Sequence, residues 1–457
     1  MSDTISKTTS KKRKKSTVRH TRAIQYDRAK RAVVDNLPAQ VETVFREVIH
    51  PLTLAQCELF RQMGMRERTL TLPVMMVLLL SAVWRQIAGV NELVRLVRTE
   101  AMLWENPQKV SQQALSQRLS TMPAALFLNV LNQLLPIMQQ RWQARPRPLA
   151  PEIQWAYEHF ANVLIVDGST LDALIKKIGL LQAFAKNPLA GKMTALLELG
   201  SRIPRKIWFK NDPQAHDQTF WEQIWAELQP GSLFLFDKGY ISFERFSELT
   251  SAGITFITRA KSNLKYEIVS ELAATPKFRD TIIYIGEAET RQRTQYRTNW
   301  VGIRLVEVLF GKTWHRYLTN EIAPEKLPAR QLVALYYRRW TIERAFNTVK
   351  RLLGLAYFWS GSQNSVELQL WSTWIVYAIL IDLCGQVAGL RNVLFDRISI
   401  EMVYRSLYYY LKAYDRGDAD DLPGWLATCD KIYGIVKRKP KKKDVFQSWP
   451  LTIAAPA

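Results

Sequence analysis

Tyr336, Arg339, Glu343 and Lys350 follow the spacing Tyr-x2-Arg-x3-Glu-x6-Lys within one segment of helical apolar periodicity. At about 100° per residue, a helix that sets Tyr336 at 0° carries Arg339 at about 300°, Glu343 at about 340° and Lys350 at about 320°, a face about 60° wide. Leu335, Ile342, Phe346, Val349 and Leu353 make an adjacent apolar stripe that would seat the helix on a core. One acid beside two cations and a phenol is also what a surface salt-bridge cluster contains, and any single pair reads that way. Two further carboxylates change the weighing. Asp167 closes the apolar run Asn162-Val163-Leu164-Ile165-Val166, and Asp237 closes Ser232-Leu233-Phe234-Leu235-Phe236. Asp167, Asp237 and Glu343 together, with no His or Cys, form a hard-oxygen donor set suited to Mg²⁺ or Mn²⁺. Two such ions about 3.5–4 Å apart activate a nucleophile and stabilise the leaving oxygen in phosphodiester cleavage. Arg339, Lys350 and Tyr336 would then hold the phosphates. Each acid alone is more often a cap or a surface residue, so the reading rests on the three together.

The elements that must position these groups follow from the pattern. Both acid-terminated runs read as buried strands, which puts their carboxylates at the C-terminal edge of a sheet, where α/β folds build sites. Residues 192–199, 206–209 and 254–258 read as further strands, 215–228 as an amphipathic helix and 242–251 as another. Residues 281–285 and 301–305 are β-like, with no long helix fitting between them. Helical periodicity returns over 328–353 and 366–389, and a Tyr-rich helix covers 401–414. Upstream, residues 41–143 are helical in pattern until Arg145-Pro146-Arg147-Pro148 breaks them. Within that region Ser111 caps a short helix whose Gln113, Gln117 and Arg118 could bond base edges in a major groove. Taken alone, that segment reads better as a solvated helix face.

The whole chain of 457 residues is 47% hydrophobic and 23% charged, which excludes wholesale disorder and a collagen-like repeat. Its net charge of +22 points to a polyanionic partner. The excess sits at the ends. Residues 1–31 hold eleven Lys and Arg against Asp3 and Asp27, and Lys437 to Lys443 holds six more. These tails read as electrostatic arms on DNA, with a solubilising or targeting tail as the alternative. Cys57, Cys384 and Cys429 are too few and too scattered for a disulfide framework. That usage and a polar N-terminus without an apolar signal region lead us to expect a cytoplasmic protein. Leu70 to Trp84 is too short to span a membrane, and Leu370 to Leu390 carries Asp382, a charge that costs about 2.5–3.5 kcal/mol on insertion scales, so both are expected to be core helices and no membrane is expected as partner.

The signature residues, together with Val166-Asp167-Gly168-Ser169-Thr170 and Asp237-Lys238-Gly239-Tyr240, resemble a DDE transposase of bacterial insertion sequences, in the group with the Tyr-Arg-Glu-Lys signature. Lys238 stands where that family more often has Arg. Further resemblance lies in Phe256-Ile257-Thr258-Arg259-Ala260-Lys261, in Tyr317-Leu318-Thr319-Asn320 and in Gly361-Ser362-Gln363-Asn364, and covers about 105–390. The resemblance implies an α/β fold with a ribonuclease-H-like catalytic core interrupted by a β-rich insertion, an N-terminal helical DNA-binding domain and a helical C-terminal region. The expected layout is a basic flexible tail at 1–40, the DNA-binding domain at 41–148, the core at 149–263 and 326–395, the insertion at 264–325 and the C-terminal region with its basic tail at 396–457. It implies cut-and-paste chemistry on double-stranded DNA in the bacterial nucleoid. Activated water frees the 3′-OH at the element's ends, that hydroxyl attacks the opposite strand to give a hairpin, and the ends join target DNA. Catalysis and two Mg²⁺ (or Mn²⁺) ions fall to Asp167, Asp237 and Glu343, and DNA contact extends to Lys238, Arg259 and Lys261. Because two ends must meet, a homodimer on DNA is expected. Trp300 and Trp314, in the insertion, are candidates for holding a base turned out of the stack, with an ordinary core tryptophan as the alternative. The competing functions are a metal-dependent nuclease that does not join ends and a non-catalytic DNA-binding regulator.

Overall fold

A computed structural model describes residues 39–438 except 88, 172–190, 213, 286–300, 356–358 and 360–361. Its frame is a nine-stranded mixed sheet in the order β3-β2-β1-β4-β5-β9-β8-β7-β6. β1 (Val163–Thr170), β4 (Leu233–Phe236) and β5 (Thr255–Arg259) run parallel at its centre. β2 (Lys192–Glu198) and β3 (Pro204–Lys210) flank β1 as an antiparallel meander. β6 (Glu267–Thr275), β7 (Phe278–Ile285), β8 (Val301–Phe310) and β9 (Thr313–Thr319) continue the same sheet beyond β5, all antiparallel.

The central strands read as unbroken apolar runs because both sheet faces are covered. Val163 and Ile165 of β1 and Leu233 and Leu235 of β4 enter one core, while Leu164, Val166, Phe234 and Phe236 enter the other, the two-residue alternation of a strand. The second core is aromatic. Phe246, from helix α5 (Phe243–Ser251), stacks on Phe256 at 4.3 Å between centroids. The first core is shared with helices α1 (Leu72–Trp84), α2 (Gln112–Thr121), α3 (Ala125–Gln143) and the 28-residue α8 (Gln363–Leu390). By length and composition α8 could cross a membrane, but 78% of its most apolar window is buried within the protein. Asp382, the acid inside its apolar stretch, is paired with Arg145 at 2.6 Å and Arg141 at 3.8 Å. That pairing explains how a charge is tolerated in so apolar a helix.

Two expected helices differ. In place of one amphipathic helix over 215–228 there is a 3-10 turn, Asp217–Phe220, and a short helix, Trp221–Trp225, which ends as its Trp221 and Ile224 are buried and the chain approaches the Pro230-Gly231 turn. The periodic stretch 328–353 is not one rod. It divides into α6 (Ala329–Arg338), α7 (Trp340–Asn347) and a π turn, Thr348–Leu352. At the break the Arg339 amide bonds Tyr336 O three residues back, as does Ile342 to Arg339 O. The consecutive side chains Arg338 and Arg339 go to different acids there.

Candidate active site

Because β1 and β4 pair in parallel with Val166 opposite Phe236, Asp167 and Asp237 emerge side by side at the C-terminal end of the sheet's centre. The junction of α6 and α7 brings the signature residues to them. Tyr336, 5% exposed, directs its hydroxyl to Asp237 Oδ1 at 3.4 Å. Arg339 donates from Nη1 to Asp167 Oδ2 at 3.0 Å and from Nη2 to Glu343 Oε1 at 2.9 Å. The π turn carries Lys350 to the end of β1, where its Nζ reaches Ser169 Oγ at 2.5 Å and Thr170 O at 2.7 Å. Single π turns inside helices recur at functional sites, because the extra residue re-aims the side chains that follow.

The electrostatics follow from burial. Burial pushes the Asp167 carboxyl up to about 6, helped by the negative fields of Glu343 and Asp237 and opposed by Arg339 and the Gly168 N–H, which donates to Oδ1 at 2.8 Å. Burial likewise raises the Tyr336 phenol, so it is a proton donor and not a phenolate. For Arg339 burial works against the charge, but Tyr336, Asp167, Asp237 and Glu343 outweigh it and hold the guanidinium above its ordinary value. The negative fields of Glu343 and Asp237 at Asp167 favour any cation placed among them. Here that cation is Arg339. Among the described residues no three His, Cys, Asp or Glu side chains share one metal position, as expected with a guanidinium bridging Asp167 and Glu343. The donor set, all carboxylate oxygen with the Ser169 hydroxyl beside it, fits a hard divalent cation by its chemistry.

The other expected DNA contacts divide. Exposed Lys238 and Lys261 line an open cleft of about 640 Å³ together with Asp237, His216, Gln218 and Asn263. Exposed Arg259, at the end of β5, is near enough to act electrostatically on Tyr317 and Tyr336. Gln113 and Gln117 are exposed on α2, capped by Ser111, but Arg118 donates to Arg66 O at 3.0 Å and lies over the Phe60 ring. Trp314, on β9, is half-buried with the Arg279 guanidinium 5.2 Å from its ring, and Trp300 lies outside the described residues. His216, Gln218 and Asn263 had no sequence signal, since only folding brings them to Asp237. Ser169 stood in the first motif without a role. Two other motif residues prove to be ties within the fold. Asn320 accepts from Phe256 N at 2.8 Å and donates to Ile254 O at 2.9 Å, joining β5 to β9. Asn364 donates to Leu119 O at 2.9 Å and Met122 O at 2.6 Å, fixing the end of α2 against α8.

Residues 158–379 match the family model described as the transposase DDE domain. A putative transposase, y4zB, of Sinorhizobium fredii (strain NBRC 101917 / NGR234) is 29% identical over 189 residues, 41% of this chain and 52% of that protein. A probable transposase for insertion sequence element IS5377 of Geobacillus stearothermophilus is 24% identical over 195 residues, 40% of this chain and 47% of that one. The chain thus spans about half the length of these curated relatives. A solved structure of the piggyBac transposase synaptic complex with hairpin DNA aligns with 91% of this chain and 88% of its own at 13% identity and a TM-score of 0.38.

Proposed function

We propose that this chain, whose residues 158–379 carry a DDE transposase domain, is a cut-and-paste DNA transposase of the Tyr-Arg-Glu-Lys group, acting as a dimer on the ends of its insertion sequence. The observation that carries the proposal is the meeting of Asp167 and Asp237 with Tyr336, Arg339 and Glu343 at one sheet edge. The strand order β3-β2-β1-β4-β5, with only β2 antiparallel to the rest, supports a ribonuclease-H-like core, and β6–β9 correspond to the inserted β-rich segment.

In this reading Asp167, Asp237 and Glu343 hold two divalent cations, Mg²⁺ or Mn²⁺. When bound, such ions activate the attacking oxygen and stabilise the leaving one. The protein's own groups do the rest. Tyr336, a neutral donor against Asp237, fixes the orientation of that carboxylate. Arg339 exchanges its carboxylate partners for a phosphate oxygen of the DNA, for which its planar fork is well matched. Lys350 fixes the end of β1 beyond Asp167 through Ser169 and Thr170, with its charge beside the incoming backbone. Lys238 and Lys261 guide the strand along the cleft beside Asp237, and Arg259 adds charge on that side. The helical region 41–148, with Gln113 and Gln117 exposed, recognises the ends, and the basic tails add sequence-independent attraction.

The test is to mix the protein and Mg²⁺ with a linear duplex carrying the sequences that flank its own reading frame and a supercoiled target plasmid. The expected result is nicked ends, then hairpins, then joined product. Cleavage without joining would identify a nuclease, and tight binding without cleavage a regulator.

A further inference from the structure

The consecutive residues Arg338 and Arg339 leave the α6/α7 junction for different acids. Arg339 goes to Asp167 and Glu343. Arg338 goes to Glu152, at 2.6 Å in α4 (Pro151–His159) just ahead of β1, and to Asp396 in the 3-10 turn Phe395–Arg397. Asp396 is the hub of this second cluster. Its carboxylate also accepts from Arg202 Nη2 at 2.6 Å and Arg344 Nη1 at 3.0 Å, and its carbonyl from Lys437 Nζ at 3.4 Å. Burial works against that carboxylate, but Arg202, Arg338 and Arg344 outweigh it and hold it charged well below the usual range.

The partners explain what the hub is fixed to. Arg202 is nearly fully buried at the turn between β2 and β3, with a φ of +61° and its guanidinium 4.3 Å from the Phe395 ring. It is therefore part of the rigid body. Arg338 ends α6 and Arg344 lies in α7, on the two sides of the junction. They are six residues apart, about 120° around a regular helix, yet one carboxylate reaches both. Between them lie Arg339 and Glu343, across the junction of α6 and α7 where the backbone bonds tighten to three-residue spacing. There the ladder passes through three-residue bonds, Arg339 N to Tyr336 O and Ile342 N to Arg339 O, so side-chain ties at each end add to what places the segment.

We propose that Asp396 is a positioning residue: anchored by Arg202, it clamps Arg338 and Arg344 at the two ends of the 339–343 segment and so sets where Glu343 and Arg339 stand relative to Asp167. The inference rests on the reading of Asp167, Asp237 and Glu343 as the reacting site. Without the charge of Asp396, Arg202, Arg338 and Arg344 are left facing one another, and the segment between the two clamped arginines shifts. A displacement of about 1 Å far from the chemistry can cost about 10²-fold in rate.

The test uses the full chain and its Asp396→Asn, Asp396→Glu and Arg344→Gln variants. Single-turnover nicking with Mg²⁺ is measured on a duplex bearing the repeats that flank its own reading frame, and amide exchange is followed over 339–347. For Asp396→Asn the maximal rate should fall by about 10²-fold, with the half-saturating DNA concentration unchanged and exchange faster over 339–347 than elsewhere. Asp396→Glu should recover part of both effects. Arg344→Gln, which leaves Arg338 paired and is the milder change, should move both in the same direction by less. A wild-type rate and exchange pattern in Asp396→Asn would overturn the proposal. So would loosening spread evenly over the chain with affinity and rate falling together, since that is what a purely structural residue does. If the unmodified protein nicks no DNA, the reading of the site fails, while selective exchange over 339–347 still decides the clamp.

Discussion

Replacing Glu343 by Gln separates the two roles its carboxylate can have. The side chain is 31% exposed and accepts from Arg339 at 2.9 Å, while Arg339, 8% exposed, keeps Asp167 at 3.0 Å. Gln preserves the length and one oxygen acceptor, so Arg339 loses a charge-assisted bond without losing a neighbour. Bonds to charged groups contribute about 1.5–3 kcal/mol and neutral ones about 0.5–1.5, so the difference is about 1 kcal/mol of stability. If that ion pair were the whole role, the rate would change by less than about tenfold, because a decade is worth 1.36 kcal/mol. If Glu343 holds a divalent cation at the scissile phosphate, its charge supports several kcal/mol of transition-state stabilisation, and the loss is about 10³-fold or more. The assay is single-turnover nicking and joining of terminal-repeat DNA in Mg²⁺, beside thermal melting and DNA affinity of the same preparation. Nicking and joining should both collapse, with melting nearly unchanged. Affinity should stay close to that of the unmodified chain, because the cations remain. Asp167→Asn and Asp237→Asn should lose activity in the same way. A well-folded Glu343→Gln protein that nicks within tenfold of the unmodified one would refute the assignment.

Burial pushes the Glu198 carboxyl up to about 7, against the Tyr157 hydroxyl at 2.5 Å and the Val163 N–H that lower it. A carboxyl raised in the folded state contributes stability that is full below its unfolded value of about 4.5 and lost as pH rises through 7, about 3 kcal/mol in all. Glu198→Gln should therefore flatten the pH dependence of urea denaturation and be the more stable protein at pH 8, and parallel profiles from pH 4 to 8 would dismiss the effect. Deleting residues 1–31, with their eleven basic side chains, should flatten the salt dependence of DNA binding while cleavage of saturated complexes persists; an unchanged slope means the tail is not on DNA. Alanine at whichever of Trp300 and Trp314 holds a turned-out base should stop the reaction after nicking, and normal hairpin yields from both variants would end that role.

The parts of the site legible in the sequence are those that follow from local periodicity. A continuous apolar run ending in an acid becomes a central parallel strand: β4 stops before Asp237, whereas β1 continues past Asp167 to Thr170 against β2, yet its parallel pairing with β4 ends at Val166, so both acids stand where that pairing stops. The 215–228 segment misled because its period persists beyond the one turn the fold uses, Trp221–Trp225. The β-like pattern of 281–285 and 301–305 showed strands but not that they would add to the edge of β5 through β9, because strand pairing is not written in strand composition. Asp396 was invisible for a simpler reason. Its three arginines lie 52, 58 and 194 residues away, so no window on the chain contains the cluster.

The signature helix shows where such reasoning ends. A wheel with 100° steps gathers Tyr336, Arg339, Glu343 and Lys350 on one face, and the first three do meet the strand-end acids. Yet the regular helix assumed by the wheel does not exist: it breaks at Arg339 and widens into a π turn at Thr348–Leu352. Periodicity survives both irregularities because it is fixed by the apolar stripe, and Leu335, Ile342, Phe346 and Val349 are all buried whether or not the ladder beneath them is continuous. What the irregularities change is the polar side. Across the break one carboxylate, Asp396, reaches both Arg338 and Arg344, and the π turn carries Lys350 to Ser169 and Thr170. A wheel tells which side chains share a face, whereas their partners depend on backbone departures that cost hydrogen bonds and persist only where tertiary contacts hold them. In this chain those departures and their ties coincide with the residues on which the proposed chemistry depends.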